Sequence, residues 1–396
     1  MSIQVAVVTT SRADYGLLYP LLVRLRDDER FELTLIATGS HLREDLGYTL
    51  EEIEADGFRV FARVALPHEG DSRLETAHAT GAGLSLLADA LAEASPDVLV
   101  VLGDRYEAFA AAAAALIVDI PVAHIHGGEL TFGSLDDPMR HAITKMATVH
   151  FASAEVYQHR IVQMGEPGWS VFNVGALAVD NVIDTKLLTP GQFAEQFGVA
   201  CDADTLLVTY HPVTRGGDWR PELDGFLAAL DQLAEFRVLI TAPNADAGGR
   251  EIAAALTSWV AANSERAAIV ASLGRVGYLS AARNCAAVVG NSSSGLIEVP
   301  ALHVPSVDIG LRQEGRLRPA SVVHCESDTG SIVEAVRTAT SAEHRELART
   351  APNPYGDGGT AGKIVAVLAD ADLKRWASEA RFVDLEFTPI DGEEAR

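Results

Sequence analysis

Apolar positions along the chain come in short runs that stop at polar turns. Residues 4–9, Q-V-A-V-V-T, form the first run, and T-S-R-A-D-Y-G interrupts it. Leu17, Leu18, Leu21, Leu22 and Leu25 then recur at helical spacing, which predicts an amphipathic helix. F-E-L-T-L-I-A-T-G at 31–39 predicts a second strand, and Val98 to Leu102 a third, running straight into G-D-R at 103–105. Between these two, residues 81–94 predict a helix that breaks before Pro96. Ala108 to Leu116 predicts another helix and Pro121 to Ile125 another strand. Strand, polar turn, helix, strand is the rhythm of a doubly wound parallel sheet, whose ligands bind at the carboxyl ends of its strands. Arg12, Asp104 and residues 126–141 fall at those ends.

The rhythm restarts after P-G-Q at 190–192. T-L-L-V-T-Y at 205–210 predicts a strand ending in H-P-V-T, and a helix follows from Phe226. R-V-L-I-T-A-P-N at 237–244 predicts a strand into an asparagine turn, and A-A-V-V-G at 286–290 a strand into N-S-S-S-G-L-I-E-V. The expected architecture is α/β, with two Rossmann-like doubly wound domains facing a central cleft. Residues 1–185 form the first, carrying most of the catalytic candidates, and 186–370 the second, which binds nucleotide. A helical segment from 371 to the end packs back on the first.

Length changes little in this picture, since 396 residues exceed what one hydrophobic core usually supports. The net charge of -24 argues against nucleic acid or an anionic membrane as partner, but leaves room for a phosphorylated ligand bound by local amides and arginines. The three cysteines, Cys201, Cys285 and Cys325, are odd in number and widely spaced, which fits a reducing, cytoplasmic setting. No G-x-G-x-x-G follows the first strand and no G-K-[ST] loop occurs, so NAD-linked redox chemistry and ATP hydrolysis lose ground.

The densest chemistry lies in Val122 to Lys145, V-A-H-I-H-G-G-E-L-T-F-G-S-L-D-D-P-M-R-H-A-I-T-K. Carboxylates and imidazoles at buried strand ends must be paired, solvated or employed. His126, Glu129, Asp136, Asp137 and Arg140 are therefore catalytic candidates together with Asp104. The benign account of Asp136 and Arg140 is an i,i+4 pair on a capped helix. His124 and His126, with Glu129 or Asp136, raise a metal site as a weak alternative. His150 and the cysteines read as structural. In N-S-S-S-G-L-I-E, the small residues Ser292, Ser293, Ser294 and Gly295 open a helix whose amides and dipole suit a phosphate or diphosphate, where capping alone needs one serine. Glu298, one turn on, can accept from ribose hydroxyls. His211, held extended before Pro212, is both a catalytic and a binding candidate, and Arg12, Asp14 and Asn244 in strand-end turns complete the binding candidates.

Taken together, T-S-R-A-D-Y-G at 10–16, L-G-D-R at 102–105, H-G-G-E at 126–129, D-D-P-M-R-H-A-I-T-K at 136–145, H-P-V-T at 211–214, N-S-S-S-G-L-I-E at 291–298 and R-Q-E-G-R at 312–316 resemble the nucleotide-sugar 2-epimerases, specifically the hydrolysing UDP-N-acetylglucosamine 2-epimerases. The likeness covers almost the whole chain. It implies a glycosyltransferase B type fold, no cofactor and no metal, and a homodimer or homotetramer. The implied reaction is anti elimination of UDP through a 2-acetamidoglucal, followed by hydration to N-acetylmannosamine. It places diphosphate contacts at Arg12 and Ser292 to Ser294, the phosphate-side histidine at His211 and the ribose carboxylate at Glu298, with Arg312 among the substrate contacts. Catalytic carboxylates fall on Asp104 and the Asp136/Asp137 pair, Asp136 preferred. One departure stands out. His126 occupies a position where non-hydrolysing and several hydrolysing relatives carry a carboxylate, so either His126 moves a proton or Glu129 reaches the sugar instead. The alternatives are a GDP-sugar, a UDP-2,4-diacetamido-6-deoxyhexose, or a non-hydrolysing epimerase. A glycosyltransferase or a nucleotide-sugar sensor would share the fold without this acid–base set.

Overall fold

The computed structural model describes residues 2–44, 47–67, 72–132, 135–211, 219–242 and 249–386. Asn244 and the P-V-T of 212–214 lie outside the described residues. The chain divides into two compact α/β units. One comprises Met1–Glu129, Leu135–Leu177 and Gly359–Arg396, the other Leu130–Ser134 and Ala178–Gly358. The main passages between units therefore fall at 177/178 and 358/359, where the sequence pattern alone put them near 185 and 370.

The first unit is built on seven parallel strands, β1 Ile3–Thr9, β2 Phe31–Thr38, β3 Val60–Val64, β4 Val98–Leu102, β5 Val122–Ile125, β6 Val149–Ala152 and β7 Val171–Asn173, in the order β3-β2-β1-β4-β5-β6-β7. The central strands are apolar throughout because helices cover both faces of the sheet. Val5, Val7 and Val100 face one core with the helix Arg12–Asp27, while Ala6, Val8, Leu99 and Val101 face the other. Alanine richness has its reason on that second face. Ala110, Ala111, Ala114 and Ala115 of the helix Tyr106–Ile117 are buried, and a Cβ on Gly83 of the helix Arg73–Ala94 would stand only 3.4 Å from that of Ala110. Small side chains let these two helices approach closely. The helix Thr360–Asp370 returns to the Arg12–Asp27 helix, with Ile364 and Leu368 in its core, and Trp376 stacks on Phe172 at 15°.

The second unit repeats the plan with six parallel strands, β8 Thr205–Thr209, β9 Arg237–Thr241, β10 Ala267–Val270, β11 Ala287–Gly290, β12 Ser306–Ile309 and β13 Val322–Cys325, ordered β10-β9-β8-β11-β12-β13. All three cysteines are buried free thiols. In each sheet the strand order reverses once, between β1 and β4 and between β8 and β11. Loops leaving the two strands at such a point diverge to opposite sides and open a crevice for a ligand. Among the described residues no helix is long and apolar enough to cross a membrane.

Candidate active site

At the first switch point, β1 delivers Arg12 and Asp14 and β4 delivers Asp104. Ser11 caps the helix Arg12–Asp27, its Oγ accepting from the Asp14 amide at 3.3 Å. The Asp14 carboxylate accepts a hydrogen bond from the Thr10 hydroxyl, and burial raises its pKa against the opposing pull of Arg105. Arg12 is largely exposed and pairs with Glu52 at 3.1 Å, a surface contact that an anionic ligand can replace. Arg105 pairs with the buried Glu107 at 3.2 Å. Gly39 closes over them, because a Cβ there would fall 2.6 Å from the Thr10 carbonyl and 2.7 Å from Glu107 Oε1.

The H-G-G-E segment leaves β5 in a conformation that the packing dictates. A Cβ on Gly127 would fall 2.9 Å from Thr144 Oγ1, and one on Gly128 would fall 2.5 Å from the Tyr157 carbonyl. His126 itself has φ +66°, a left-handed backbone that costs a residue with a side chain about 1–3 kcal/mol. Its amide still donates to the Phe151 carbonyl of β6 at 2.9 Å. The result is a fixed side-chain direction: His126 Nδ1 faces Glu129 Oε1 at 3.2 Å, and that same oxygen accepts from Ser153 Oγ at 2.6 Å.

Beside it the helix Asp136–Met146 presents Arg140, which is buried and gathers the site. Its Nη2 donates to Asp104 Oδ2, and its Nη1 donates to Asp137 Oδ1 at 3.3 Å and to the Glu129 carbonyl at 2.8 Å. Asp136 begins the helix and is exposed, whereas Asp137 is half-buried beside Arg140 and His141. The bonds seen for Arg140 thus run to Asp104 and Asp137 in addition to any i,i+4 neighbour. His124 ties the two loops together from below. Its Nε2 donates to the Gly103 carbonyl at 2.7 Å and its Nδ1 lies 3.2 Å from Thr144 Oγ1, which also bonds the Arg140 carbonyl at 3.0 Å. Burial pushes His124 down to about 3, so it stays neutral. Both of its ring nitrogens are engaged, and a metal ion could recruit it only by breaking one of these bonds. His150, fully buried, lies 3.3 Å from Glu166, which also pairs with Lys145.

The second switch point has the same logic with different chemistry. Gly290 ends β11 at φ +149°, and a Cβ there would sit 1.9 Å from the Thr209 carbonyl, so only glycine fits. Asn291 then reaches across to β8. Its Oδ1 accepts from the His211 amide at 2.7 Å, and its Nδ2 donates to the His211 carbonyl at 2.9 Å. Arg312 Nη1 and Gln313 Nε2 hold the Asn291 carbonyl at 3.1 and 2.9 Å. His211 is buried, and burial with the Arg312 charge pushes it down to about 4. Ser292, Ser293 and Ser294 are half-buried at the start of the helix Ser294–Ala301, and Gly295 lies directly behind them. Burial raises Glu298, while Ser294 and Arg275 pull it back, and Arg275 is itself anchored to Asn181 Oδ1 at 2.9 Å. Sequence reasoning did not single out Ser153, Asn291, Gln313 or Arg275 as individual site residues. Only Asn291 and Gln313 lay inside recognised motifs.

Two parallel sheets, each with polar and ionisable residues gathered where its strand order reverses, define a two-domain α/β protein of the glycosyltransferase B class. The chain belongs to the UDP-N-acetylglucosamine 2-epimerase family, whose model matches residues 23–369. It is 34% identical over 344 residues to the GDP/UDP-N,N'-diacetylbacillosamine 2-epimerase (hydrolyzing) of Campylobacter jejuni, covering 87% of this chain and 89% of that one. Polysialic acid biosynthesis protein P7 of Escherichia coli is 33% identical over 354 residues, covering 89% and 90%. The fold matches the crystal structure of UDP-GlcNAc 2-epimerase from Neisseria meningitidis bound to UDP-GlcNAc with a TM-score of 0.78 at 18% identity, over 93% of this chain and 100% of that one.

Proposed function

We propose that this chain is a hydrolysing 2-epimerase that converts a UDP-activated 2-acetamido sugar and water into UDP and the free 2-epimeric sugar. The observation that carries this reading is the cluster around Arg140, where Asp104, Asp137 and the His126–Glu129 pair meet at the ends of β4 and β5. Inverting C2 requires a proton to leave one face of the sugar and another to arrive on the opposite face. A site doing so needs more than one proton-transfer group, and this cluster supplies carboxylates and an imidazole.

In the first step the C2–H bond breaks, its electron pair forms the C1=C2 bond, and the C1–O pair leaves with UDP. Charge then builds on the diphosphate, and the serine loop Ser292–Ser294, His211 and Arg312 are the groups that stabilise it. Glu298 takes the ribose hydroxyls. In the second step water oxygen bonds to C1 and C2 regains a proton on the other face.

Within this reading the sugar is the 2,4-diacetamido-2,4,6-trideoxyhexose named by the Campylobacter relative. The family description favours UDP-N-acetylglucosamine as a second reading. Both donors, and the GDP form of the first, are to be compared by UDP or GDP release and by chromatography of the sugar. The expected result is equimolar nucleotide and free 2-epimeric sugar, with kcat/KM at least about 10-fold higher for the diacetamido donor, the discrimination that one or two substituents provide. A product that stays nucleotide-linked would make the chain a non-hydrolysing epimerase.

A further inference from the structure

We propose that Ser153, Glu129 and His126 form a hydrogen-bonded relay that presents the Nε2 lone pair of His126 to the C2 proton of the sugar. Ser153 and Glu129 act in it as positioning residues. The proposal rests on the 2-epimerase reading and assigns within it the group that takes the proton.

The geometry fixes the tautomer. Glu129 Oε1 lies 3.2 Å from His126 Nδ1, and a carboxylate can only accept, so the ring proton sits on Nδ1. Ser153, fully buried at the end of β6, donates to that same oxygen at 2.6 Å and so fixes the carboxylate in turn. The Glu129 backbone is pinned as well, its carbonyl accepting from Arg140 at 2.8 Å. Glu129 is therefore engaged in orienting the imidazole instead of reaching the sugar.

What remains is Nε2, which carries the lone pair. It is buried and has no hydrogen-bond partner among the described residues. A buried, unpaired ring nitrogen is costly in a folded protein and calls for a use. The left-handed backbone of His126 is a second cost at the same residue. A base awaiting its proton accounts for both. Glu129 faces the ring, and the neutral His124 is near enough to interact with it electrostatically.

In the elimination step Nε2 takes the C2 proton, the C2–H pair becomes the C1=C2 bond, and UDP leaves with the C1–O pair. The imidazolium formed is balanced by Glu129 and returns its proton to solvent after UDP departs.

The test combines three variants with a spectrum that needs no substrate. H126Q should lose about 100-fold or more in UDP release and in solvent deuterium exchange at C2. E129Q keeps the shape and removes the charge that balances the imidazolium, so kcat should fall by about 10-fold or more with KM little changed. S153A strips a donor from Glu129 and should lower kcat by a smaller factor, again with KM little changed. A merely structural role would show as lost stability in both variants and leave the kcat of the folded protein in place. Long-range proton–nitrogen spectra of the full chain, with H126Q giving the assignment, should show the Nδ1–H tautomer at His126 in the wild type and its loss in E129Q. The proposal is overturned if H126Q keeps C2 exchange within about 3-fold of wild type, if E129Q folds stably and keeps the wild-type kcat, or if the wild-type ring is protonated at Nε2. Absence of turnover on every 2-acetamido donor, with the Nδ1–H tautomer observed, would remove the reaction reading and leave the relay standing.

Discussion

Replacing Arg140 by methionine should abolish turnover and lower the unfolding free energy by about 3–5 kcal/mol, the cost of removing one partner from a buried ion pair. Arg140 is only 2% exposed, and it bonds Asp104, Asp137 and the Glu129 carbonyl at once. Methionine fills much of the volume but leaves two carboxylates and a carbonyl uncompensated, so the loss is electrostatic before it is steric. Arg140→Lys keeps the charge without the planar fork and should recover part of the stability while holding only one carboxylate at a time. The double variant D104N/R140M should regain stability relative to R140M, because one stranded charge is gone, yet stay inactive. Urea unfolding and initial rates on the same preparations separate the two effects. A stable and active R140M would show that the cluster is not organised by this side chain.

The second large effect is a pH dependence. His124 is buried and neutral, pushed down to about 3 from an ordinary value of 6.5. The unfolded chain therefore binds a proton between pH 6.5 and 3 that the folded chain refuses, so stability is full above the upper value and is lost as pH falls. By pH 5 the loss amounts to about 2 kcal/mol for this one group. The glutamine side chain of H124Q keeps a donor for the Gly103 carbonyl and cannot titrate. Whatever stability H124Q has lost at pH 7.5, its deficit against wild type should shrink by about 2 kcal/mol at pH 5. His41 and His211, both held down to about 4, contribute in the same direction and remain in both proteins. Equal pH slopes for wild type and H124Q in urea titrations would mean that His124 is charged or solvated in the folded chain.

Sequence pattern located most of the central strands. β1, β2, β4, β5, β8, β9 and β11 read as largely apolar runs because helices cover both faces of their sheets. β3 (V-F-A-R-V) exposes alternate residues and β7 has only three, so both fell below the signal, and β6, β10, β12 and β13, of four residues each, were not singled out either. The helix expected at 81–94 begins at Arg73, and the capping box between Ser72 and Glu75 was the available clue.

The motifs picked out candidate residues, since strand-end turns are where polar residues escape core packing. They did not show the partners. Arg140 lies 36 residues from Asp104, and Ser153 follows β6, a strand the pattern did not reveal. Asn291 stands at the head of the serine motif, but its work is on the peptide of His211, 80 residues away. Such pairings are set by strand order, which adjacency along the chain does not encode.

The most direct test of the central reading is a proton NMR time course of the purified protein with UDP-2,4-diacetamido-2,4,6-trideoxyglucose, and in parallel UDP-N-acetylglucosamine, in deuterated water. Elimination and hydration predict UDP appearing in step with a free 2-epimeric sugar that carries deuterium at C2. A free sugar that keeps its C2 proton and its original configuration would contradict the account and identify a simple nucleotide-sugar hydrolase.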